Sequence, residues 1–190
     1  MDESGERATS GIELLPATPT GFRSVLGCFP TGVAVVTTRV HEVAYGITIN
    51  AFTAVSLRPP LVLCCIRRGS RFLHGLAQTK LFAVSVLADH QMDIATFFAD
   101  RSRTDGDRWG MGHRVSPLGS PLIEGAAAWL DCRLERVHDG GDHVICLGWV
   151  EGLLSDRGQK SLVFDRGEFR RVGIPWADEM EDNSLSWPVT

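Results

Sequence analysis

At 190 residues the chain is long enough to bury one core, and its 44% hydrophobic and 22% charged residues are those of an ordinary globule, which leaves no case for two domains. Nineteen Lys and Arg against 23 Asp and Glu leave a net charge of −4. That excludes a general nucleic-acid binder or an anionic-membrane binder, since either needs a basic face.

Residues 1–19 are rich in Glu, Ser, Thr and Pro without periodicity and read as a flexible tail. Met1–Ser10 is acidic and polar where a secretory signal would be basic and then apolar, and no apolar run reaches the roughly 18 residues of a membrane span. The expected location is the cytoplasm. Thr20 is placed to cap a short helix to Phe29, with Phe22, Val25, Leu26 and Phe29 at helical spacing and Pro30 as its stop. Gly32–Thr38 is short, β-branched and almost wholly apolar, the signature of a strand buried on both faces, with His41-Glu42 as its exposed turn.

Strands are expected next at Val43–Ile49, Leu61–Ile66 and Leu81–Leu87, with Ser70 capping a helix over 71–78 and Asp89 capping one over 90–99. Residues 100–119, with four Gly and alternating Asp and Arg, form a long loop that reads as a lid or an interface element. Ala128, Leu130, Cys132 and Leu134 alternate with Trp129, Asp131, Arg133 and Glu135, a period of two with one face in a core. His143–Leu154 behaves alike, and Asp139-Gly140-Gly141-Asp142 between them is a hairpin turn. Leu162–Asp165 and Glu168–Val172 close the chain as a last hairpin about Arg166-Gly167, and the acidic residues 174–190 form a second tail. Strands dominate, so the predicted fold is mainly β, a closed or nearly closed antiparallel barrel over residues 20–173 with a few short peripheral helices.

Cys28, Cys64, Cys65, Cys132 and Cys146 include no CxxC pair and sit mostly in apolar strand-like runs, as small buried residues do in a reducing compartment. The six His show no HxH or HxxxH spacing, so no metal site is expected. The most informative stretch runs from Tyr45 to Leu61 and, one strand later, through Arg67-Arg68-Gly69-Ser70-Arg71-Phe72. It reads as strand, turn, strand, then a basic loop opening a helix, a layout that puts a polar turn beside an anion site. A flat, polar, phosphorylated ligand suits it. The same residues also describe an ordinary hairpin turn and a solvated basic loop.

Four landmarks recur in order: Phe29-Pro30-Thr31-Gly32-Val33-Ala34-Val35-Val36-Thr37, Gly46-Ile47-Thr48-Ile49-Asn50-Ala51-Phe52, Val55-Ser56-Leu57-Arg58-Pro59-Pro60-Leu61 and Gly141-Asp142-His143. Together, from Phe22 to Val172, they resemble the short-chain flavin reductases, the reductase components of two-component flavin-dependent monooxygenases. The resemblance implies a six-stranded antiparallel Greek-key split β-barrel, a homodimer with flavin near the subunit interface, and hydride transfer from NADH or NADPH to FMN or FAD. Reduced flavin would then pass by diffusion to a separate monooxygenase. It also implies a flavin site built from Thr48, Ile49, Asn50, Ala51, Cys65, Ile66, Arg67, Ser70, Arg71 and Phe98, with His143 against the nicotinamide. This chain carries Ala51 where many relatives have Ser, and it departs near Arg67, where they have Lys or a small residue.

The hydride moves between the two cofactors, so the protein supplies orientation rather than a general base. That agrees with a chain that shows no catalytic triad, and the absence of GxGxxG agrees with a nicotinamide bound in an open groove. A non-catalytic flavin carrier on the same barrel is the alternative, which has no evident use for Gly141-Asp142-His143. A bare interaction scaffold, for which the arginine cluster would be incidental, is the third.

Overall fold

The computed structural model describes residues 14–103 and 113–173. Three helices and twelve strands follow in chain order: α1 (Pro19–Leu26), β1 (Thr31–Gly32), β2 (Ala34–Val40), β3 (Val43–Ile49), β4 (Phe52–Leu57), β5 (Pro60–Arg67), α2 (Arg71–Thr79), β6 (Leu81–Val86), α3 (Met92–Ala99), β7 (His113–Val115), β8 (Pro121–Ile123), β9 (Ala128–Gly140), β10 (His143–Ser155), β11 (Leu162–Asp165) and β12 (Glu168–Arg171). The tails expected at 1–19 and 174–190 lie outside the described residues, apart from 14–19, as does the stretch 104–112 of the long loop.

The main sheet has seven strands in the order β3-β2-β6-β9-β10-β5-β4, every pair antiparallel. Its two edge strands, β3 and β4, are consecutive in the chain and joined only by Asn50 and Ala51. Laid flat, the sheet would hold those edges about 29 Å apart at a 4.8 Å strand spacing, whereas two linking residues span about 11 Å. The sheet must therefore curl to bring its edges together, although no hydrogen-bonded ladder joins β3 to β4 among the described residues. The predicted fold class stands as mainly β, antiparallel, with three helices; the sheet's strand count is seven rather than six.

The added strand is β4, which the sequence reading passed over. A register shift between Ala54 and Ser56 interrupts its alternation, and most of its residues face solvent, so its pattern carries no apolar stripe. The last hairpin forms as expected, but pairs with β1 in a separate three-stranded sheet. β2 is buried on both faces from Ala34 to Thr38, as its composition dictates. One core cluster packs Val36, Ile66, Phe82, Val84 and Cys146 against Phe72 and Leu76 of α2. A second packs Val33, Val35 and Leu87 against Ala95 and Phe98 of α3 and Leu162 of β11. Gly75 lets α2 sit close to the sheet: a Cβ there would lie 2.9 Å from the Tyr45 ring and 3.0 Å from the Thr38 methyl.

Ser70 caps α2 as predicted, its hydroxyl accepting the Leu73 N–H at 3.3 Å. The other two caps are corrected. α1 starts at Pro19, a residue suited to the first helical position because its missing N–H would be an orphan there, and Thr18 caps it. α3 follows Gln91, which makes no side-chain cap; its amide instead accepts the Ala88 N–H and donates to the Glu124 carbonyl. No helix among the described residues is long and apolar enough to cross a membrane.

Candidate active site

Alternation along β5 sets the site. Cys64 and Ile66 are 1% and 0% exposed in the core, which sends Cys65 and Arg67 to the opposite face. That face floors a cleft of about 600 Å³, walled by the end of β3, the Asn50-Ala51 link, the start of α2, the end of α3 and His143. Its volume is that of a small-molecule site. The Cys65 N–H donates to the Ala51 carbonyl at 3.0 Å, so the polar turn is bonded to the floor it overhangs.

The cleft brings together Thr48, Ile49, Asn50, Ala51, Cys65, Arg67, Ser70, Arg71, Phe98 and His143. Ile66 is the exception and is corrected to a core residue: strand periodicity forbids neighbours Cys65 and Ile66 from sharing a face. Ile49 and Phe98 line the cleft while nearly all of their surface is buried, so they form wall rather than contact groups. The Thr48 hydroxyl donates to the Ala95 carbonyl at 2.7 Å, which ties β3 to α3 and leaves that oxygen an acceptor toward the cleft.

The three arginines of the basic loop have different duties. Arg67, the last residue of β5, opens on the cleft beside His143, its cross-strand partner. Arg68 turns to the hairpin tip: its Nε donates to the Gly141 carbonyl at 2.7 Å and its Nη2 to Asp139 Oδ1 at 2.6 Å. Its backbone N–H donates to the Asp142 carbonyl at 3.0 Å. Arg71, at the head of α2, donates to the Arg103 carbonyl. Gly141, at φ 74°, supplies the left-handed backbone that brings the tip back to Arg68.

His143 is half-buried, with Nδ1 2.7 Å from Asp142 Oδ1. That contact holds the Asp142 carboxyl below its ordinary range, while the Gly141 N–H and then Arg68 do the same for Asp139. At the far end, Asp100 is held low by the Ser102 hydroxyl and N–H. Residues 99–101 and Arg103 also line the cleft, as do Gly46 and Ile47. Sequence reasoning missed them; two arginines soon after Phe97-Phe98 were the available signal, absorbed into a loop of undetermined role.

The sequence model of the flavin reductase like domain matches residues 26–173. The chain belongs to the flavin reductase family. Among relatives of this flavin reductase, the reductase subunit HsaB of a flavin-dependent monooxygenase from Rhodococcus jostii is 41% identical over 170 residues, covering 86% of each chain. An NADH-dependent FAD reductase from Streptomyces globisporus is 43% identical over 83% of this chain and 87% of its own. Among solved structures, the NADH:FAD oxidoreductase SgcE6 of Streptomyces globisporus, in complex with NAD and FAD fragments, superposes with a TM-score of 0.79 at 39% identity, over 85% of this chain and 98% of that one. BorF, the flavin reductase component of a bacterial two-component tryptophan halogenase, superposes at 0.78 with 34% identity, over 83% and 100%.

Proposed function

We propose that the protein is an NAD(P)H:flavin oxidoreductase that carries hydride from NADH or NADPH to FMN or FAD and gives up reduced flavin to a separate monooxygenase. One observation carries this reading: the Thr48–Ala51 turn, Cys65, Arg67, Ser70, Arg71 and His143 open on one cleft. Its chemistry fits a flavin nucleotide. Two guanidiniums and a capped helix start suit a phosphate, and the turn's backbone groups suit the polar edge of a flat ring. Cys65, Ile49 and Phe98 supply the less polar floor and walls. The kinship with reductase subunits of monooxygenases supports an oxygenase as the recipient of reduced flavin.

In this reading Arg67, Ser70 and Arg71 hold the phosphate, while Thr48, Asn50 and Ala51 orient the ring edge. His143, fixed by Asp142 beside Arg67, orients the nicotinamide. The bound flavin supplies the hydride acceptor and the reduced nicotinamide supplies the hydride. The chain contributes proximity and orientation, which need no general base.

The same reading takes residues 20–173 as the catalytic domain, curled as a split barrel in Greek-key order, with 1–19 and 174–190 as tails in a cytoplasmic protein. The two-residue link between the sheet's edges supports the barrel, and the five free cysteines support a reducing compartment. A homodimer is supported by apolar side chains left in solvent, Phe22, Val25 and Leu26 on α1 and Leu153 and Leu154 on β10, each more than half exposed.

Purified protein mixed with NADH or NADPH and with FMN or FAD in separate cuvettes tests the function through the near-ultraviolet band of the reduced nicotinamide. Flavin-dependent oxidation is the expected outcome and names both cofactors. Flavin binding without turnover would replace the reductase with a carrier.

A further inference from the structure

Arg68 stands at the rim of the cleft, and its guanidinium bonds to the β9–β10 hairpin tip. Nε donates to the Gly141 carbonyl at 2.7 Å, and the residue's own N–H donates to the Asp142 carbonyl at 3.0 Å. Those carbonyls belong to the two peptide groups on either side of the Asp142 Cα, so one residue holds the Asp142 backbone from both ends. Nη2 meets Asp139 Oδ1 at 2.6 Å, the same oxygen that accepts the Gly141 N–H at 2.9 Å. Closing the hairpin does not require this clamp, because from His143 onward β10 is paired with β9 on one side and β5 on the other. Gly141 and Asp142 are what both ladders leave out, and Gly141, at φ 74°, has the freedom of a residue without a side chain. The Asp142 carboxylate in turn holds the His143 ring, with Oδ1 2.7 Å from Nδ1.

We propose that Arg68 is a positioning residue for the reduced nicotinamide: by fixing Gly141 and Asp142, it sets the direction in which the Asp142 carboxylate holds the His143 ring at the cleft. A single exposed ion pair is worth little. Here the planar fork is used twice on one turn, on a carbonyl and a carboxylate, a geometry that the flexible stem and single ammonium of lysine do not reproduce. Arg68 lies between Arg67 and Ser70, so the clamp also registers His143 against the loop read as the flavin phosphate site. That suits a reaction whose rate depends on holding two rings in one geometry. The inference rests on the reading of His143 as the nicotinamide contact, and it adds the residue that aims it.

The test compares wild type, Arg68→Ala, Arg68→Lys, His143→Ala and the double variant Arg68→Ala/His143→Ala. Arg68 has a side chain 48% exposed, so its variants should fold. The readouts are the KM for reduced nicotinamide at saturating flavin, FMN dissociation constants from fluorescence quenching, and amide hydrogen exchange of the ligand-free proteins. Arg68→Ala is expected to raise the KM about threefold, the scale of an exposed charge-assisted contact, and to change FMN affinity by less than about twofold. Arg68→Lys should behave as Arg68→Ala does. The double variant should have a KM no higher than that of His143→Ala, because the two residues act in series. Without any ligand, amides at 141–143 should exchange faster in Arg68→Ala while those of α2 stay unchanged. A loss of FMN affinity as large as the rise in KM would make Arg68 a flavin contact, and additive losses in the double variant would make it a nicotinamide contact in its own right. An unchanged KM would leave it a plain fastener of the hairpin. Each of these overturns the inference and leaves the reductase reading standing. Wild type without flavin-dependent nicotinamide oxidation, or His143→Ala with an unchanged KM, overturns the reading beneath and the inference with it.

Discussion

Strands β2 and β5 are both interior strands of the same sheet, flanked by β3 and β6 in one case and by β10 and β4 in the other. From Ala34 to Thr38, β2 is buried residue after residue, with Val35, Val36, Thr37 and Thr38 all at 0% exposure. β5 alternates: Val62, Cys64 and Ile66 face the core, while Cys65 and Arg67 face the cleft. A strand covered on both sides has no surface left for a ligand and serves only to hold the sheet's centre. A half-covered strand can anchor itself with every second residue and spend the others on chemistry. In this fold, stability and binding are separated by a single step along the backbone.

The sharpest break of that comparison uses two adjacent thiols. Burial pushes the Cys64 thiol well above its ordinary pKa, and it raises Cys146 to about 11 and Cys132 to about 12. The thiolate is the reactive form and Cys64 is also shut in the core, so in native protein at about pH 8 a maleimide should label Cys65, on the cleft face, well ahead of Cys64. Peptide mapping of the labelled protein checks this, and added FMN should slow the Cys65 adduct alone. Comparable labelling of both would mean that β5 is not held in the described register.

Ile66→Ala should cost about 3 kcal/mol of stability in a denaturant titration, and Val36→Ala about 2 kcal/mol, as deletions in a packed core. Cys65→Ala should leave the midpoint nearly unchanged. Arg67→Ala should weaken FMN roughly tenfold without moving the denaturation midpoint, the reverse of the Ile66 result. His143→Ala should raise the KM for the reduced nicotinamide several-fold, about 1 kcal/mol of binding, and leave flavin affinity unchanged; an unchanged KM would remove His143 from the nicotinamide site. The smallest effect is on acid stability. Asp139 and Asp142 have folded pKa values below their unfolded value of about 3.9, so what they contribute is complete above that value and lost as pH falls through the lower folded ones. Asp139→Asn should lower Tm slightly at about pH 7, where the carboxylate's contribution is complete, and flatten the decline below about pH 4, so that the two proteins converge in acid.

How much of this could be read from the sequence depended on the range of the interaction. β2 is legible because an unbroken β-branched run has few other uses, and the β9–β10 hairpin because Gly141 must take a positive φ. The cleft was legible where its residues are close in sequence, as from Thr48 to Ala51 and from Arg67 to Arg71. Ile66 was misplaced by following resemblance where alternation already decided the matter. The helical spacing in α1 announced an apolar face but not what covers it, and those residues stand in solvent in the single chain. Arg103 had one local mark, the Phe97-Phe98 pair whose rings it packs against, but that pair alone does not imply burial. Gly46 and Arg71, which hydrogen-bond to it, lie 57 and 32 positions away.

The two residues between β3 and β4 have a consequence beyond the turn they make. Because Asn50 and Ala51 are both the seam of the curled sheet and the lip of the cleft, a ligand seated there would touch β3, the link that leads into β4 and the β5 strand paired with β4, together with α2 and α3. It would act as a stitch. Amide hydrogens along β3 and β4, the strands with only one paired neighbour, should exchange fastest in the empty protein and slow most when the cleft is filled, so occupancy would be written into the breathing of the sheet's margins rather than its centre.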